Sequence, residues 1–186
     1  MKILFVSSEC APFSKSGGLA DVAFSLPPAL QKTGDELTIV IPMYRVTQEN
    51  YGDQFSLIKT CVIHLGQRQL SCALYKGELN GVMVYAIGNE HLFHRPRLYG
   101  YGDDSLRFAF FCRAVIDLLP EFGDLPDILH CNDWETALAI LYLKNDAVLN
   151  DALSHIKTVY TIHNIAYQGQ FGRSEMETTF ALPDGW

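Results

Sequence analysis

The sequence predicts an α/β fold of the Rossmann-like, three-layer type, with a mainly parallel sheet covered by helices on both faces. Three observations lead to this prediction. Short apolar runs rich in β-branched residues alternate with longer runs of helical periodicity along the 186 residues. Apolar residues make up 48% of the chain and charged residues 19%, enough for one buried core without metals or disulfides. No apolar run approaches the roughly 20 residues of a membrane span.

The alternation begins with a strand, a helix and a second strand. "KILFVSS" (2–8) and "ELTIVIP" (36–42) are short apolar runs typical of buried strands. Between them, "GLADVAFSLPPALQKTG" (18–34) has a helical pattern, with Gly34 as the expected stop. A kink or break is expected at Pro27-Pro28, because proline removes a helix hydrogen bond and clashes with the preceding turn.

The middle of the chain has three strand-like runs in succession, which predicts an antiparallel insertion between residues 55 and 87. "FSLIKTCVIHL", "RQLSCALYKGEL" and "VMVYAIG" have the composition of strands. Asn80-Gly81 separates the last two runs, and this pair is strongly preferred in two-residue hairpin turns. The insertion is therefore expected to contain a hairpin.

The helix and strand alternation then resumes. "DDSLRFAFFCRAVIDLL" (103–119) begins with acids, which the helix dipole favours, and is apolar nearly all round, so deep burial is expected. "DILHC" (127–131), "WETALAILYLKN" (134–145) and "KTVYTIH" (157–163) complete a further strand, helix and strand. This order predicts parallel pairing of the two strands.

Charge and cysteine content exclude several classes of partner. The net charge is −7, so we expect no nucleic acid and no anionic membrane as partner, and any phosphate site must be local. The five cysteines are an odd number without a C-x-x-C pair, which predicts buried, reduced thiols in a cytosolic chain. No secretory signal peptide is expected, since polar residues follow the first apolar run at once.

Polar residues are concentrated in three loops that follow predicted strands. Ligands of such sheets bind where the loops at the carboxyl ends of the strands converge. We therefore expect these loops to form one site. They contain Lys15, Gly17 and Gly18 in the first loop, Asn132 and Asp133 in the second, and His163, Asn164, Tyr167, Gln168 and Gly169 in the third.

Each loop has a structural and a functional interpretation. Gly17 and Gly18 could serve a tight turn or close helix packing, or their amides could hold a phosphate or sugar oxygen with help from Lys15. Asp133 could cap the helix that begins at Trp134. The third loop has the amides and aromatic rings typical of a carbohydrate site. The sequence contains neither a P-loop nor a G-x-G-x-x-G dinucleotide fingerprint.

Two further features have a structural interpretation. His91 and His94 form an H-x-x-H pair, but Arg95 disfavours a cation there and no third ligand is evident, so no metal site is expected. The D-x-D pattern with which many glycosyltransferases hold a metal is also missing. Arg107 lies on an otherwise apolar helix and is expected to be paired inside the fold rather than catalytic.

Five segments, in this order, carry a resemblance: "KILFVSSECAPFSKSGGLADV", "HLFHRP", "LRFAFF", "HCNDWETAL" and "TIHNIAYQGQF". Together they resemble the N-terminal half of bacterial glycogen synthases and plant starch synthases. The combination of K-x-G-G-L-A-D with H-N-x-A-Y-Q-G is highly specific for that family. The resemblance implies a GT-B fold, in which two Rossmann-like domains face a cleft, with residues 1–186 as the N-terminal domain.

The resemblance also implies a reaction. It is the transfer of glucose from ADP-glucose, or alternatively UDP-glucose, to the non-reducing end of an α-1,4-glucan, with retention at the anomeric carbon. No essential metal or other cofactor is implied. By the same resemblance Asp133 and His163 are the catalytic residues: Asp133 would hold sugar hydroxyls, and His163 would lie beside the glucosyl carbon and support positive charge through its backbone carbonyl.

The resemblance assigns substrate binding to the other motif residues. A cation near the donor's diphosphate would offset charge on the departing ADP, mostly in the transition state. Asn132 and Glu135 depart from the family pattern, in which His is common at both positions, and this leaves the acceptor contacts beyond Asp133 open. The expected substrate-binding residues are Lys15, Gly17, Gly18, Phe93, Arg95, Asn164, Tyr167 and Gln168.

The family's second domain has no counterpart in this sequence, so the chain is expected to be a fragment whose C-terminal domain is a missing partner. Half a cleft does not surround a transition state, and the isolated chain is therefore expected to have negligible transferase activity. The expected location is the bacterial cytoplasm, or a plastid for a plant protein. Two alternatives remain: a non-catalytic α-glucan-binding module, and a flavodoxin-like or dinucleotide oxidoreductase domain.

Overall fold

Seven strands form one sheet in the order β3-β4-β5-β2-β1-β6-β7, in a computed structural model that describes residues 1–182. The strands β5, β2, β1, β6 and β7 pair in parallel with one another, and β4 and β3 continue the sheet beyond β5 with antiparallel pairing. The strands are β1 (Lys2–Val6), β2 (Glu36–Pro42), β3 (Ser56–Leu65), β4 (Arg68–Leu79), β5 (Val82–Gly88), β6 (Ile128–Asn132) and β7 (Lys157–Thr161).

Helices cover both faces of this sheet. Alternate residues of the central strands belong to two apolar clusters: Leu4 packs with α4 and α5 on one face, and Phe5 packs with α1 on the other. The predicted α/β, three-layer fold is therefore confirmed. The α-helices are α1 (Gly18–Gln31), α2 (Arg45–Tyr51), α3 (Glu90–Phe93), α4 (Asp104–Asp117), α5 (Trp134–Leu149) and α6 (Ser174–Thr178), and short 3-10 turns span Gly52–Gln54, Leu119–Phe122 and Asp151–Leu153.

The predicted antiparallel insertion is narrower than expected. Asn80 and Gly81 form the predicted hairpin turn, with φ angles of 52° and 83°. However, β5 also pairs in parallel with β2, so it belongs to the central sheet and only β3 and β4 are additions at the side. The burial of β5 along nearly its whole length is typical of a strand covered on both faces.

A kink or break was expected at Pro27-Pro28, and the break does not occur. Helix α1 continues through both prolines to Gln31. The missing N–H groups fall in its last turns, and the Lys32 N–H donates to the Pro28 carbonyl, so helical bonding resumes at once. Gly34 follows with φ of +100°, consistent with a stop after the helix.

Helix α4 is as deeply buried as predicted and holds a buried cation. Arg107 is fully buried, donates to the Leu92 carbonyl and forms an ion pair with Asp104 at 2.6 Å. The expectation that Arg107 is paired inside the fold is confirmed. All five cysteines are free, and all but the half-buried Cys61 are buried.

Strand β7 is an edge strand of the sheet, and its side chains are more exposed than those of the central strands. Val159 and Tyr160 are 41% and 42% exposed. The strand ends at Thr161, earlier than predicted, and this leaves His163 in the following loop. Within residues 1–182, no helix is long and apolar enough to cross a membrane.

Candidate functional site

A cavity of about 860 Å³ opens where the carboxyl ends of the parallel strands meet. Each of the three predicted loops contributes to its wall. The loop after β1 supplies Gly17 and Gly18, the loop after β6 supplies Asp133, and the loop after β7 supplies His163 and Tyr167. The expectation that these loops come together is therefore met by the structure.

Asp133 connects the second loop to the third. Its Oδ1 atom accepts hydrogen bonds from the backbone N–H groups of His163, at 2.7 Å, and Asn164, at 3.4 Å. It makes no side-chain cap to α5, so the capping alternative is not what the structure shows. Both bonds use one oxygen, which leaves Oδ2 to accept from a ligand.

The backbone of Asp133 is in an unusual conformation. Its φ of 58° and ψ of 176° lie in a region that is essentially restricted to glycine. The residue is only 9% exposed, and its N–H donates to the Thr161 carbonyl at 2.9 Å. A carboxylate is thus held at the cavity by a strained backbone, a combination common at functional sites.

His163 is oriented by Asn132 at the end of β6. The Nε2 atom of His163 lies 2.9 Å from Asn132 Oδ1, and the Asn132 amide group donates to the Val6 carbonyl at 3.0 Å. That second bond fixes Oδ1 as the acceptor, so His163 Nε2 carries the proton in this contact. Burial and the nearby His163 lower the pKa of His130, whose Nε2 atom lies 2.8 Å from Thr161 Oγ1 at the end of β7.

The glycine-rich loop already holds a carboxylate of the protein. Glu9 is 3% exposed, and its Oε2 accepts from the N–H groups of Ser16, at 2.5 Å, and Gly17, at 3.2 Å. Its Oε1 accepts from the hydroxyls of Ser16, at 2.5 Å, and Tyr99, at 2.8 Å. The predicted anion-binding amide of Gly17 is thus occupied by Glu9, a residue that the sequence patterns did not single out.

The two glycines leave open space in the cavity wall. A Cβ atom at Gly17 or Gly18 would meet nothing within 4 Å, and neither residue has a positive φ. A tight turn or crowded packing therefore does not explain them. Gly18 begins α1, where the first amides lack an acceptor within the helix. Lys15 lies at the surface and pairs with Asp21 at 2.6 Å.

Four predicted site residues, the surface residue Lys15 among them, do not line this cavity. Phe93 was expected to line the cleft, but its side chain is fully buried and packs edge-on against Tyr44 at 5.6 Å, in the core under α4. Arg95 makes two bonds to Asp103, at 2.6 and 2.7 Å. Gln168 is exposed and donates to the Ile165 carbonyl. Local sequence does not reveal which of these side chains turns inward.

Comparison with known proteins identifies the family. A family model described as "Starch synthase catalytic domain" matches residues 2–186. This chain belongs to that family. It is 44% identical to a glycogen synthase of Bacillus cereus over 99% of the chain and 39% of the relative, and 42% identical to a glycogen synthase of Clostridium novyi over 93% and 36%.

A solved structure supports the same assignment. The catalytic domain of starch synthase IV from Arabidopsis thaliana, bound to ADP and acarbose, superposes with a TM-score of 0.82 at 30% identity, over 95% of this chain and 36% of that one. The GT-B relationship expected from the sequence is therefore confirmed for the fold. The chain spans 36–39% of the length of the relatives it matches.

One acidic residue of this starch synthase domain was not predicted to be in the site itself. Glu135 lines the cavity, is 7% exposed, and its Oε2 atom has no hydrogen-bond partner among the described residues. Burial raises the pKa of its carboxyl group to about 8, and the charges of Asp133, Glu9 and Asp104 add to this shift. Glu135 is therefore mostly protonated at neutral pH.

An aromatic contact fixes the third loop of the synthase domain. Gly169 has φ of +57°, and a Cβ atom there would lie 2.4 Å from Trp134 Cε3. Glycine is thus required by close approach and by conformation. Trp134 in turn packs edge-on against Phe108 of α4, so the loop is supported by the core.

The H-x-x-H pair does not form part of a metal site in the described structure. Among residues 1–182, no group of three or more His, Cys, Asp or Glu side chains is arranged to hold a metal ion. His94 contacts Gln48 instead, with its Nδ1 atom 3.4 Å from the amide oxygen.

Proposed function

We propose that the protein containing this chain is a glycogen synthase. It transfers glucose from ADP-glucose to the non-reducing end of an α-1,4-glucan with retention at the anomeric carbon. The observation that carries the proposal is the Asp133 carboxylate, which is tied to the backbone of the His163 loop and faces the open wall formed by Gly17 and Gly18. The names of the bacterial relatives and the ligands of the Arabidopsis structure agree with this reaction.

Asp133 and His163 form the catalytic pair in this proposal. Oδ1 of Asp133 fixes the third loop, and Oδ2 accepts from glucose hydroxyls beside the reacting carbon. The same bond orients the peptide group of His163, whose carbonyl supports positive charge at the glucosyl carbon as the bond to ADP breaks. Tyr167, which is 72% exposed at the cavity, offers a ring for stacking on a sugar face.

Lys15 provides charge for the departing diphosphate. Its present partner Asp21 is 59% exposed, and such surface ion pairs contribute only about 0–1 kcal/mol. The free-energy cost of breaking this pair to form a phosphate contact is therefore small. Asn164 lies in the same loop as His163 and completes the polar wall, while Gln168 and Arg95 lie outside the cavity.

Residues 1–186 form the N-terminal Rossmann-like domain in this proposal, and the C-terminal domain of the same protein closes the cleft from the other side. The share of the relatives that the chain spans supports this arrangement. The 186-residue chain alone then has negligible transferase activity. Because the two relatives are bacterial, we place the reaction in the bacterial cytoplasm rather than in a plastid.

The test is incorporation of radiolabelled glucose into glycogen. The complete protein should use ADP-glucose in preference to UDP-glucose, and the 186-residue chain should show no turnover. Turnover by the chain comparable to that of a complete synthase would overturn the two-domain proposal. Absence of glucose transfer by the complete protein would overturn the assigned reaction.

A substitution at Lys15 tests the donor site. Lys15→Ala in the complete protein should weaken the use of ADP-glucose by about 1–3 kcal/mol in kcat/KM, because a charge-assisted contact is lost. Lys144→Ala is the matched control, since Lys144 is exposed on α5 away from the cavity. Equal kinetics in the two variants would remove Lys15 from the site.

A non-catalytic α-glucan-binding module is the second candidate. It is favoured by one observation: Glu9 occupies the amides of Ser16 and Gly17, so two of the loop's donors are satisfied without a phosphate. Calorimetry of the chain with maltotetraose and with ADP-glucose separates the two functions. Binding of the oligosaccharide, together with no transfer by the complete protein, would support the module.

A further inference from the structure

Glu135 is a buried acid that the proposed reaction does not use. It lies in the first turn of α5, next to Trp134, and its side chain lines the cavity at 7% exposure. Its Oε2 atom lacks a hydrogen-bond partner within the described structure. An unpaired buried polar atom is costly, so its retention at a cavity points to a ligand.

The surroundings of Glu135 select the chemistry of that ligand. The charges that raise its pKa are those of carboxylates: Glu9 after β1, Asp133 after β6, and Asp104 on α4, which is paired with Arg107. A phosphate beside these groups would be repelled, whereas a neutral sugar hydroxyl would not. Four other titratable groups lie around it and are kept neutral by burial, which raises the pKa of each: Tyr44, Tyr99, Cys112 and Tyr160.

We propose that Glu135 is a specificity-determining residue whose Oε2 atom donates a hydrogen bond to a hydroxyl of the glucan bound in this cavity. The inference rests on the proposed function, and it assigns to this part of the cavity a sugar hydroxyl rather than the diphosphate. The neutral acid both donates and accepts, as a sugar hydroxyl does. Ionisation removes the donor and adds a fourth negative charge beside Glu9, Asp104 and Asp133.

This assignment has a pH signature. The raised pKa of Glu135 keeps the donor present at pH 7 and removes it by pH 9.5, so glucan binding should weaken across that interval. Glu135→Gln retains a donor at every pH and should abolish the weakening. Glu135→Ala has no donor and should bind glucan about 3- to 10-fold more weakly at pH 7, as expected for one hydrogen bond.

The experiment measures KM for maltotetraose and for ADP-glucose between pH 7 and 9.5 in the complete protein and its variants. Glu175→Gln is the matched control, because Glu175 also has a buried oxygen without a partner in the described structure but lies on α6, outside the cavity. Thermal melts at pH 7 verify that each variant is folded. The unsubstituted protein and Glu175→Gln should share one pH profile, and Glu135→Gln should give a flat one.

Two results would overturn the assignment alone: an alkaline weakening in Glu135→Gln equal to that of the unsubstituted protein, or normal glucan KM in folded Glu135→Ala at pH 7. A failure of the unsubstituted protein to use either substrate would instead overturn the proposed function, and this assignment with it. A change confined to the KM for ADP-glucose, with an unchanged glucan profile, would also overturn it.

Discussion

Replacing Asp133 with glycine and, separately, with alanine should separate backbone strain from hydrogen bonding in the loop after β6. Both variants lose the carboxylate and its bonds to the backbone of His163 and Asn164. Only glycine adopts φ of 58° with ψ of 176° readily, and a non-glycine residue there costs about 1–3 kcal/mol. Glycine also gains freedom in the unfolded chain, worth about 0.4–1 kcal/mol. The glycine variant should therefore be more stable than the alanine variant by about 0.5–2 kcal/mol.

Urea unfolding followed by circular dichroism measures this difference directly. In a chain of this size it corresponds to about 2–4 °C in Tm for each kcal/mol. The same pair of substitutions at Asn150, where φ is −131°, should give the opposite order, because alanine fits that backbone without strain. An alanine variant at Asp133 as stable as the glycine variant would refute the strain argument. In the complete protein both variants should lack transferase activity, since neither has the carboxylate.

Three further predictions concern stability and loop geometry. Glu9→Ala leaves the Ser16 hydroxyl and two loop amides without their acceptor, and thermal denaturation should show a loss of about 1–3 kcal/mol. Gly169→Ala should displace the third loop and change the fluorescence of Trp134, whereas Gly172→Ala, where a Cβ has room, should not. Glu135 holds a proton up to pH about 8 in the folded chain but releases it near its ordinary pKa of 4.5 when unfolded. Its contribution to stability therefore falls as pH rises through that window, by at most about 1.4 kcal/mol per pH unit, and denaturant titrations should show that Glu135→Gln lacks this slope.

The sequence predicted most of the fold because each element has a strong local pattern. The apolar runs of β1 and β2 and the periodicity of α4 survive in the structure nearly residue for residue. The parallel pairing of β5 did not follow from its own sequence, since pairing depends on the strand beside it. A helix break at Pro27-Pro28 was expected for a similar reason. The local sequence shows the two helix breakers but not the tertiary packing of α1, which outweighs them.

Chain order and the geometry of parallel sheets were enough to predict which loops form the candidate site. The three loops met because the carboxyl ends of parallel strands lie at one edge. Glu9 was missed because its role depends on amides seven and eight residues further on, a loop contact without a sequence signature. Phe93 was misplaced because its motif shows proximity to the cleft but not the side to which the ring turns.

The Glu9 carboxylate has a consequence for selectivity. Because it occupies the amides of Ser16 and Gly17, an anion that binds to these two amides enters by exchange rather than by addition. A small free anion such as inorganic phosphate would form only the hydrogen bonds that Glu9 loses, so its net binding free energy at these amides should be small. A ligand with further contacts elsewhere in the cavity can drive the exchange with those contacts. We therefore expect these two amides to discriminate by ligand size, and we expect Glu9 to keep the loop ordered between one ligand and the next.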